Sequence, residues 1–241
     1  MLVGHVKELT RYPVKSFQGE NVNASQVMDY GLYGDRSHAF LDKSRTNKFL
    51  TITQCPQMVM YRAKFQGEEK LEGFPPVHIS TPDRKEMKWG DPQLKNELEM
   101  LSKRPLEWIR YPPQHVPLGA IEEAPILLIT DASLSSLSTL WGEEADGRRF
   151  RPNLVIDLIN KEPFCEETWI DKSILIGDTV ELKISQACQR CMIINVNPDN
   201  ASITPALLKT IAKERNMQFG MYASVVKTGK IKVGDEISIK G

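Results

Sequence analysis

The chain has 241 residues, 41% of them hydrophobic and 26% charged, enough apolar material for one large domain or two small ones. Lysine plus arginine number 31, as do aspartate plus glutamate, so no global field favours nucleic acid or an anionic membrane, although a local basic pocket for one anionic ligand is compatible with that balance. No stretch reaches the roughly 18 consecutive apolar residues of a membrane helix, and four scattered cysteines behind an N-terminus unlike a signal peptide predict free thiols in a reducing cytoplasm.

The first half reads as short strands. LVGHVKELTRYPV, VNASQVMDYGL, HAFLD, MVMYRAKF and PVHIS are separated by Gly, Asp and Asn turn signals. GDPQLKNELEMLSKR then changes period: Asp91 is placed as N-cap, Pro92 as the first helical residue, and Leu94, Leu98 and Leu101 on one face. A boundary between two domains, residues 1–115 and 116–241, is expected around the proline-rich RYPPQHVPLG. APILLIT follows as an apolar strand, and DASLSSLSTLWG as a helix capped by Thr130 or Asp131 with Leu134, Leu137 and Trp141 facing the core. Strands are expected at PNLVIDL, SILIGDTVELKIS, CMIINV, ASVVK and KIKVGDEISI, interrupted by one helix, TPALLKTIAKERN, capped by Thr204. The echoed segments ILIGDTVEL and IKVGDEISI each predict two strands joined by a turn, at Gly177 and at Gly234. Many short strands, few helices and no regular βαβ alternation predict a mainly β chain with a few helices, of α+β type and rich in β-barrel.

The segment ACQRC carries Cys188 and Cys191 around Gln189 and Arg190. Structural zinc wants four Cys or His ligands, commonly in two close pairs, and only one pair is present; Cys55 and Cys165 are isolated, and His5, His38, His78 and His115 show no i, i+4 spacing. A thioredoxin-like dithiol opens a helix after a strand, whereas CMIINV reads as a returning strand. Two thiols packed as small hydrophobes remain an alternative. Arg190 weighs against that for the pair, because a guanidinium is costly to bury without an anion and its field favours thiolate. One of the two cysteines is therefore a candidate soft-metal ligand or persulfide carrier.

Basic residues recur at loop-to-strand junctions. In RRFRPNLVI, Arg148 and Arg149 read as a solvated face, while Arg151 beside Pro152 aims a fork suited to a carboxylate or phosphate. Lys15 and Ser16 in YPVKSFQG pair a point charge with a hydroxyl donor, and Arg36 follows a Gly34-Asp35 turn. Alone each reads as a surface loop; together with Cys191 these three basic loops are expected to form one pocket.

Taken together, YPVKS, GLYGDRSHAF, APILLITDASL, RRFRPNLVI, ACQRC, QFGMYASV and GKIKVGD resemble, in order and over nearly the whole chain, the MOSC family of molybdenum cofactor sulfurase C-terminal domains and amidoxime-reducing components. The resemblance implies an N-terminal β-barrel region over residues 1–115 and a β-barrel MOSC domain over residues 116–241. It further implies molybdenum cofactor (Mo-molybdopterin), with Cys191 as catalytic residue and thiolate ligand to the metal. Lys15, Ser16, Arg36, Arg151, Gln189, Arg190 and Tyr222 fall on cofactor-binding positions, Gln189 and Arg190 against the pterin phosphate. Glu122, Glu123 and Ala124 match a weaker contact where the family more usually has an Asp-containing element. Cys188 is left to packing or to support of its neighbour.

The implied activity is an oxidoreductase that removes oxygen from N-hydroxylated small molecules. Its electrons are expected from an external electron-transfer protein, since the chain carries no flavin, haem or iron-sulfur motif. No nucleic-acid or membrane partner is expected. Two other readings stay open: a sulfur carrier with a persulfide on Cys191, serving metal-sulfur cluster or cofactor assembly, and a non-catalytic carrier of molybdenum cofactor.

Overall fold

The structure, a computed structural model, describes residues 1–240. In chain order the strands are β1 (Leu2–Arg11), β2 (Glu20–Val22), β3 (Ala24–Met28), β4 (Gly31–Leu32), β5 (His38–Asp42), β6 (Arg62–Phe65), β7 (Val77–Ser80), β8 (Glu86–Lys88), β9 (Leu106–Arg110), β10 (Ile126–Thr130), β11 (Leu154–Leu158), β12 (Ser173–Ile176), β13 (Val180–Gln189), β14 (Gln218–Lys227), β15 (Gly229–Lys232) and β16 (Glu236–Ile239). The helices are α1 (Pro92–Ser102), α2 (Leu118–Ile121), α3 (Asp131–Trp141) and α4 (Ala206–Arg215). The mainly β, α+β class read from the sequence is the observed one.

The largest sheet runs β11-β10-β14-β13-β12-β16-β1, and β1 returns to pair with β11, which closes a seven-stranded barrel. Closure leaves these strands no free edge. Inward-facing side chains of the strands, among them Val6, Leu128, Ile156, Ile174, Leu182, Ile184, Met221 and Ile237, are at most 1% exposed and fill the interior. Each such aliphatic side chain contributes on the order of 1.5–3 kcal/mol by leaving water. β1 lies before the expected boundary, yet it is a wall of the barrel whose other strands all lie beyond residue 125.

The remaining first half packs β5 with β9 and the meander β6-β7-β8 around an aromatic core that includes Phe17, Tyr33, Phe40, Tyr61, Phe65 and Phe74. α1 closes this core with Leu94 and Leu98; its cap is Asp91, whose Oδ1 accepts from Gln93 N at 2.9 Å. Leu101, expected on the same face, sits in the last turn and is exposed, because the core ends beneath the preceding turn. α3 crosses between the parallel strands β10 and β11, with Thr130 Oγ1 accepting from Ser133 N at 3.1 Å as its cap, and packs with α4 over a third apolar cluster around Leu137, Phe150 and Phe219.

Four local expectations differ from the structure. The first part of MVMYRAKF lies in a 3-10 turn, Pro56–Met60, since Pro56 presets a helical φ and the strand starts only at Arg62. CMIINV is not a returning strand: the β13–β14 ladder ends at Gln189↔Gln218 and Met192–Asn195 form a 3-10 turn, with Ile194 and Asn195 buried. A short apolar run does not by itself distinguish the two. Thr204 does not cap α4; Pro205 takes the N-cap position, and Asn195 Oδ1 accepts from Leu208 N at 3.1 Å instead. The Gly177 turn does join the hairpin β12–β13, but the strands flanking Gly234 part, β15 pairing with β3 and β16 with β12 and β1.

Candidate functional site

Where β1 leaves the barrel, the chain crosses to the aromatic half, and the turns at that seam carry the basic side chains. Tyr12 is buried there; its backbone N–H donates to Asp35 Oδ1 at 2.7 Å and its hydroxyl to the Pro152 carbonyl at 3.0 Å, so one residue ties three loops together. Asn153 adds a second tie, its Oδ1 accepting from Leu127 N at 3.1 Å and its Nδ2 donating to Thr10 O at 3.2 Å.

Ser16, Arg36 and Arg151 hold left-handed backbone conformations, with φ of 72°, 52° and 56°. For non-glycine residues this costs roughly 1–3 kcal/mol each, and such strain collects at ligand clamps. The three belong to different loops and line one cavity of about 640 Å3, together with Lys15, Gln189, Arg190, Cys191 and Tyr222. All eight residues placed at the site from the sequence thus meet in one space.

The cavity wall is rich in buried positive charge. Arg36 is paired with Asp35, which is fully buried, and its guanidinium lies 4.8 Å from the Tyr12 ring centroid. Burial works against that charge, but the Asp35 carboxylate outweighs it and holds the Arg36 pKa above its ordinary value. Arg149, Arg151 and Arg190 are different: Arg149 and Arg190 are at most 9% exposed, Arg151 is half-buried, and none forms an ion pair among the described residues. Arg151 donates from Nη1 to Phe17 O at 2.9 Å, and Arg190 from Nε to Phe219 O at 2.7 Å and from Nη1 to Phe150 O at 3.0 Å. Arg149 donates from Nη1 to Ile194 O at 3.2 Å. Arg149 Nε, Arg151 Nη2 and Arg190 Nη2 are buried without any acceptor. Burial, with the neighbouring Arg36 charge adding to it, pushes the Arg151 pKa down to about 10, and burial lowers that of Arg149 as well.

Unpaired buried charge costs several kcal/mol per ion unless something compensates it. Three guanidinium groups with unmet donors around one cavity suit an anion with several acceptor oxygens. Arg149 had been expected on a solvated face; it is buried because Phe150 and its neighbours tuck beneath α3, whereas Arg148 stays outside with Asp146 and Asp199.

Gly220 makes room for this wall. Its φ is +76°, and a Cβ there would stand 2.8 Å from the Leu128 carbonyl oxygen and 3.2 Å from Arg190 Nη2. A side chain would therefore collide with backbone and crowd the guanidinium.

The two cysteines of ACQRC are unlike. Cys188 is 2% exposed and clusters with Ala124, Leu127 and Tyr222; burial pushes its thiol pKa up, with Arg190 opposing. Burial, and then the neighbouring Cys188, likewise raise the Tyr222 hydroxyl. Cys191 is exposed at the head of the 3-10 turn and presents its thiol to the cavity. A soft, accessible sulfur beside an anion receptor suits a metal-bearing anionic ligand.

Glu122, matched to a weaker contact, makes an ion pair with Lys15 at 2.9 Å. Glu123 also lines the cavity, its Oε2 accepting from Gln186 Nε2 at 2.9 Å. The sequence marks no site role for Tyr12, Asp35, Arg149 or the segment 45–54 that forms the far wall; Tyr12 and Asp35 lie inside YPVKS and GLYGDRSHAF, but nothing local marks a tyrosine or aspartate as a brace.

Two family models match the chain. The MOSC domain model matches residues 101–238 and the MOSC N-terminal beta barrel domain model residues 3–102. Mitochondrial amidoxime-reducing component 1 of Homo sapiens is 25% identical over 287 residues, covering 99% of this chain and 84% of that protein. Mitochondrial amidoxime reducing component 2 of Homo sapiens is 28% identical over 283 residues, covering 98% and 83%. Among solved structures, the YUAD protein from Bacillus subtilis superposes with a TM-score of 0.52 at 13% identity, covering 98% of this chain and 94% of its own, a likeness of fold.

Proposed function

Because the chain belongs to the MOSC domain family, we propose that it is a molybdenum-cofactor oxidoreductase that reduces N-hydroxylated small molecules with electrons from an external redox protein. The observation that supports it most is the set of unmet guanidinium donors of Arg149, Arg151 and Arg190 around a cavity that also holds the exposed Cys191. A molybdopterin needs such a pairing, since it is a phosphate ester at one end and a soft metal complex at the other.

In this reading the Cys191 thiolate ligates the metal. Arg151, Arg190 and Arg149 take the phosphate oxygens with the donors that lack partners, and Ser16 adds a hydroxyl. Arg36, fixed by Asp35, and Lys15 supply the surrounding field. Gln189, opposite Gln218 at the end of β13, and Tyr222, opposite Gln186 on β14, border the cofactor from the barrel side. When bound, the cofactor supplies two-electron chemistry, and N–O reduction consumes two electrons and two protons and releases one water. The protein's share is to hold, orient and desolvate. The electron donor and substrate bind from the open side, where Asn47 and Lys48 are exposed. Four free thiols suit a reducing, cytoplasmic setting, and no helix is long and apolar enough to cross a membrane.

The test is reduction of an amidoxime to its amidine by protein made in a host that synthesises the cofactor, driven by a chemical one-electron donor. Turnover that depends on Cys191 supports the reading. A protein that holds metal and pterin but reduces no N-hydroxylated compound is a carrier, and one that holds sulfane sulfur on Cys191 and no metal is a sulfur carrier.

A further inference from the structure

Lys15 lies inside the anion receptor, yet it has nothing left to offer an anion. An ammonium has three donors, and Lys15 Nζ meets three acceptors: Ala120 O at 2.8 Å, Ile121 O at 3.4 Å and Glu122 Oε1 at 2.9 Å. The Lys15 side chain is 7% exposed, so water does not compete for it.

The three acceptors are not alike. Ala120 and Ile121 present the last carbonyls of α2, main-chain groups held in place by the fold. Glu122 is a side chain, 53% exposed, with solvent beside it. It is the one acceptor that leaves by rotating about its own bonds. Its neighbour Glu123 is no substitute, being hydrogen-bonded to Gln186.

We propose that Glu122 is a displaceable internal counter-ion, which must release Lys15 before the phosphate group of a ligand can take its place, so that anion binding in this cavity carries the cost of expelling a carboxylate. The proposal rests on the reading of the cavity as the seat of a phosphate-bearing cofactor. Lys15, Arg36 and Arg151 all attract the Glu122 carboxylate, and against the opposing effect of burial they hold its pKa below the ordinary value. Tyr12, Asp35 and Tyr222 are the other ionisable groups acting on this circle. An incoming phosphate meets the guanidiniums with unmet donors first and contends with Glu122 only at Lys15. The carboxylate thus discriminates between ligands: a dianionic phosphate offers more than Glu122 gives up, and a monoanion such as a simple carboxylate does not.

The experiment is calorimetric titration of inorganic phosphate into the cofactor-free full chain. Glu122→Gln keeps the shape and an acceptor for Lys15 but removes the charge, and it is expected to bind phosphate about tenfold more tightly than the wild type. Glu123→Gln, whose carboxylate is engaged by Gln186 and not by Lys15, is expected to gain clearly less than Glu122→Gln. In a Lys15→Met background the gain from Glu122→Gln is expected to shrink to the part owed to Arg36 and Arg151. Equal phosphate affinity in wild type and Glu122→Gln, with binding intact, overturns the role of Glu122 alone. Absence of phosphate binding in both overturns the anion-receptor reading with it. The comparison of wild type with Glu122→Gln decides the matter even if the Lys15 variant does not fold.

Discussion

The Arg151 guanidinium lies 4.2 Å from the centroid of the Tyr12 ring, and the Tyr12 hydroxyl donates to the carbonyl of Pro152, the residue after Arg151. Ring and hydroxyl together fix the strained loop that aims Arg151 into the cavity. Burial raises the Tyr12 hydroxyl pKa to about 12, so it remains a donor across the neutral range. Tyr12→Phe keeps the ring and leaves the Pro152 carbonyl without its donor, a loss of about 1–2 kcal/mol; Tyr12→Ala is expected to cost about 3–5 kcal/mol. Urea unfolding of the two variants checks the order.

Arg151→Met should separate stability from binding. The substitution removes a largely desolvated charge that forms no direct ion pair, so the cofactor-free variant is expected to unfold at the same or a higher urea concentration than the wild type. Phosphate affinity is expected to fall by at least about tenfold, since charge-assisted hydrogen bonds are lost. A large loss of stability without loss of binding would contradict the role given to this residue.

Glu166 gives a pH signature away from the cavity. It is 1% exposed, accepts from Ser133 Oγ at 2.9 Å and Thr130 Oγ1 at 3.2 Å, and has no cationic partner. Burial pushes its pKa above the ordinary carboxylate range. The folded state therefore holds this proton more tightly than the unfolded chain, and ionising it as pH rises costs stability. Glu166→Gln is expected to raise the unfolding free energy at pH 7 by about 1 kcal/mol. The advantage should shrink as pH falls toward 4, where both states bind the proton.

Gly220→Ala tests the wall behind Arg190. With φ at +76° and a new methyl 2.8 Å from a backbone oxygen, the variant is expected to lose about 2–4 kcal/mol by chemical denaturation. Its phosphate affinity should fall as well, because the methyl would also stand 3.2 Å from Arg190 Nη2 and crowd that guanidinium.

Most of the fold was legible because barrel strands alternate and their turns carry Gly, Asp and Asn; the helix α1 announced itself through Asp91 and Pro92. What was not legible depended on partners distant in sequence. Nothing within CMIINV distinguishes a strand from a 3-10 turn, and the end of β14 at Gln218 decides it. Thr204 had the right chemistry for a cap, and Asn195 took the task from nine residues away in the chain. At the site, charge-bearing loops could be identified one at a time. That Arg149 is buried and Arg148 is not, or that Lys15 is already saturated by Glu122, follows only from the way α2 and α3 close over the seam.

The central claim is that Cys191 and the buried arginines together hold a molybdenum-bearing pterin phosphate. The direct measurement is molybdenum and pterin content, by elemental analysis and by fluorescence of the oxidised pterin, in wild type, Cys191→Ser and Cys188→Ser proteins made in a cofactor-competent host. The account predicts metal with pterin in near-equal amounts in the wild type, retained in Cys188→Ser and lost or sharply reduced for the metal in Cys191→Ser. Wild-type protein free of molybdenum, or metal lost in Cys188→Ser and kept in Cys191→Ser, would contradict it.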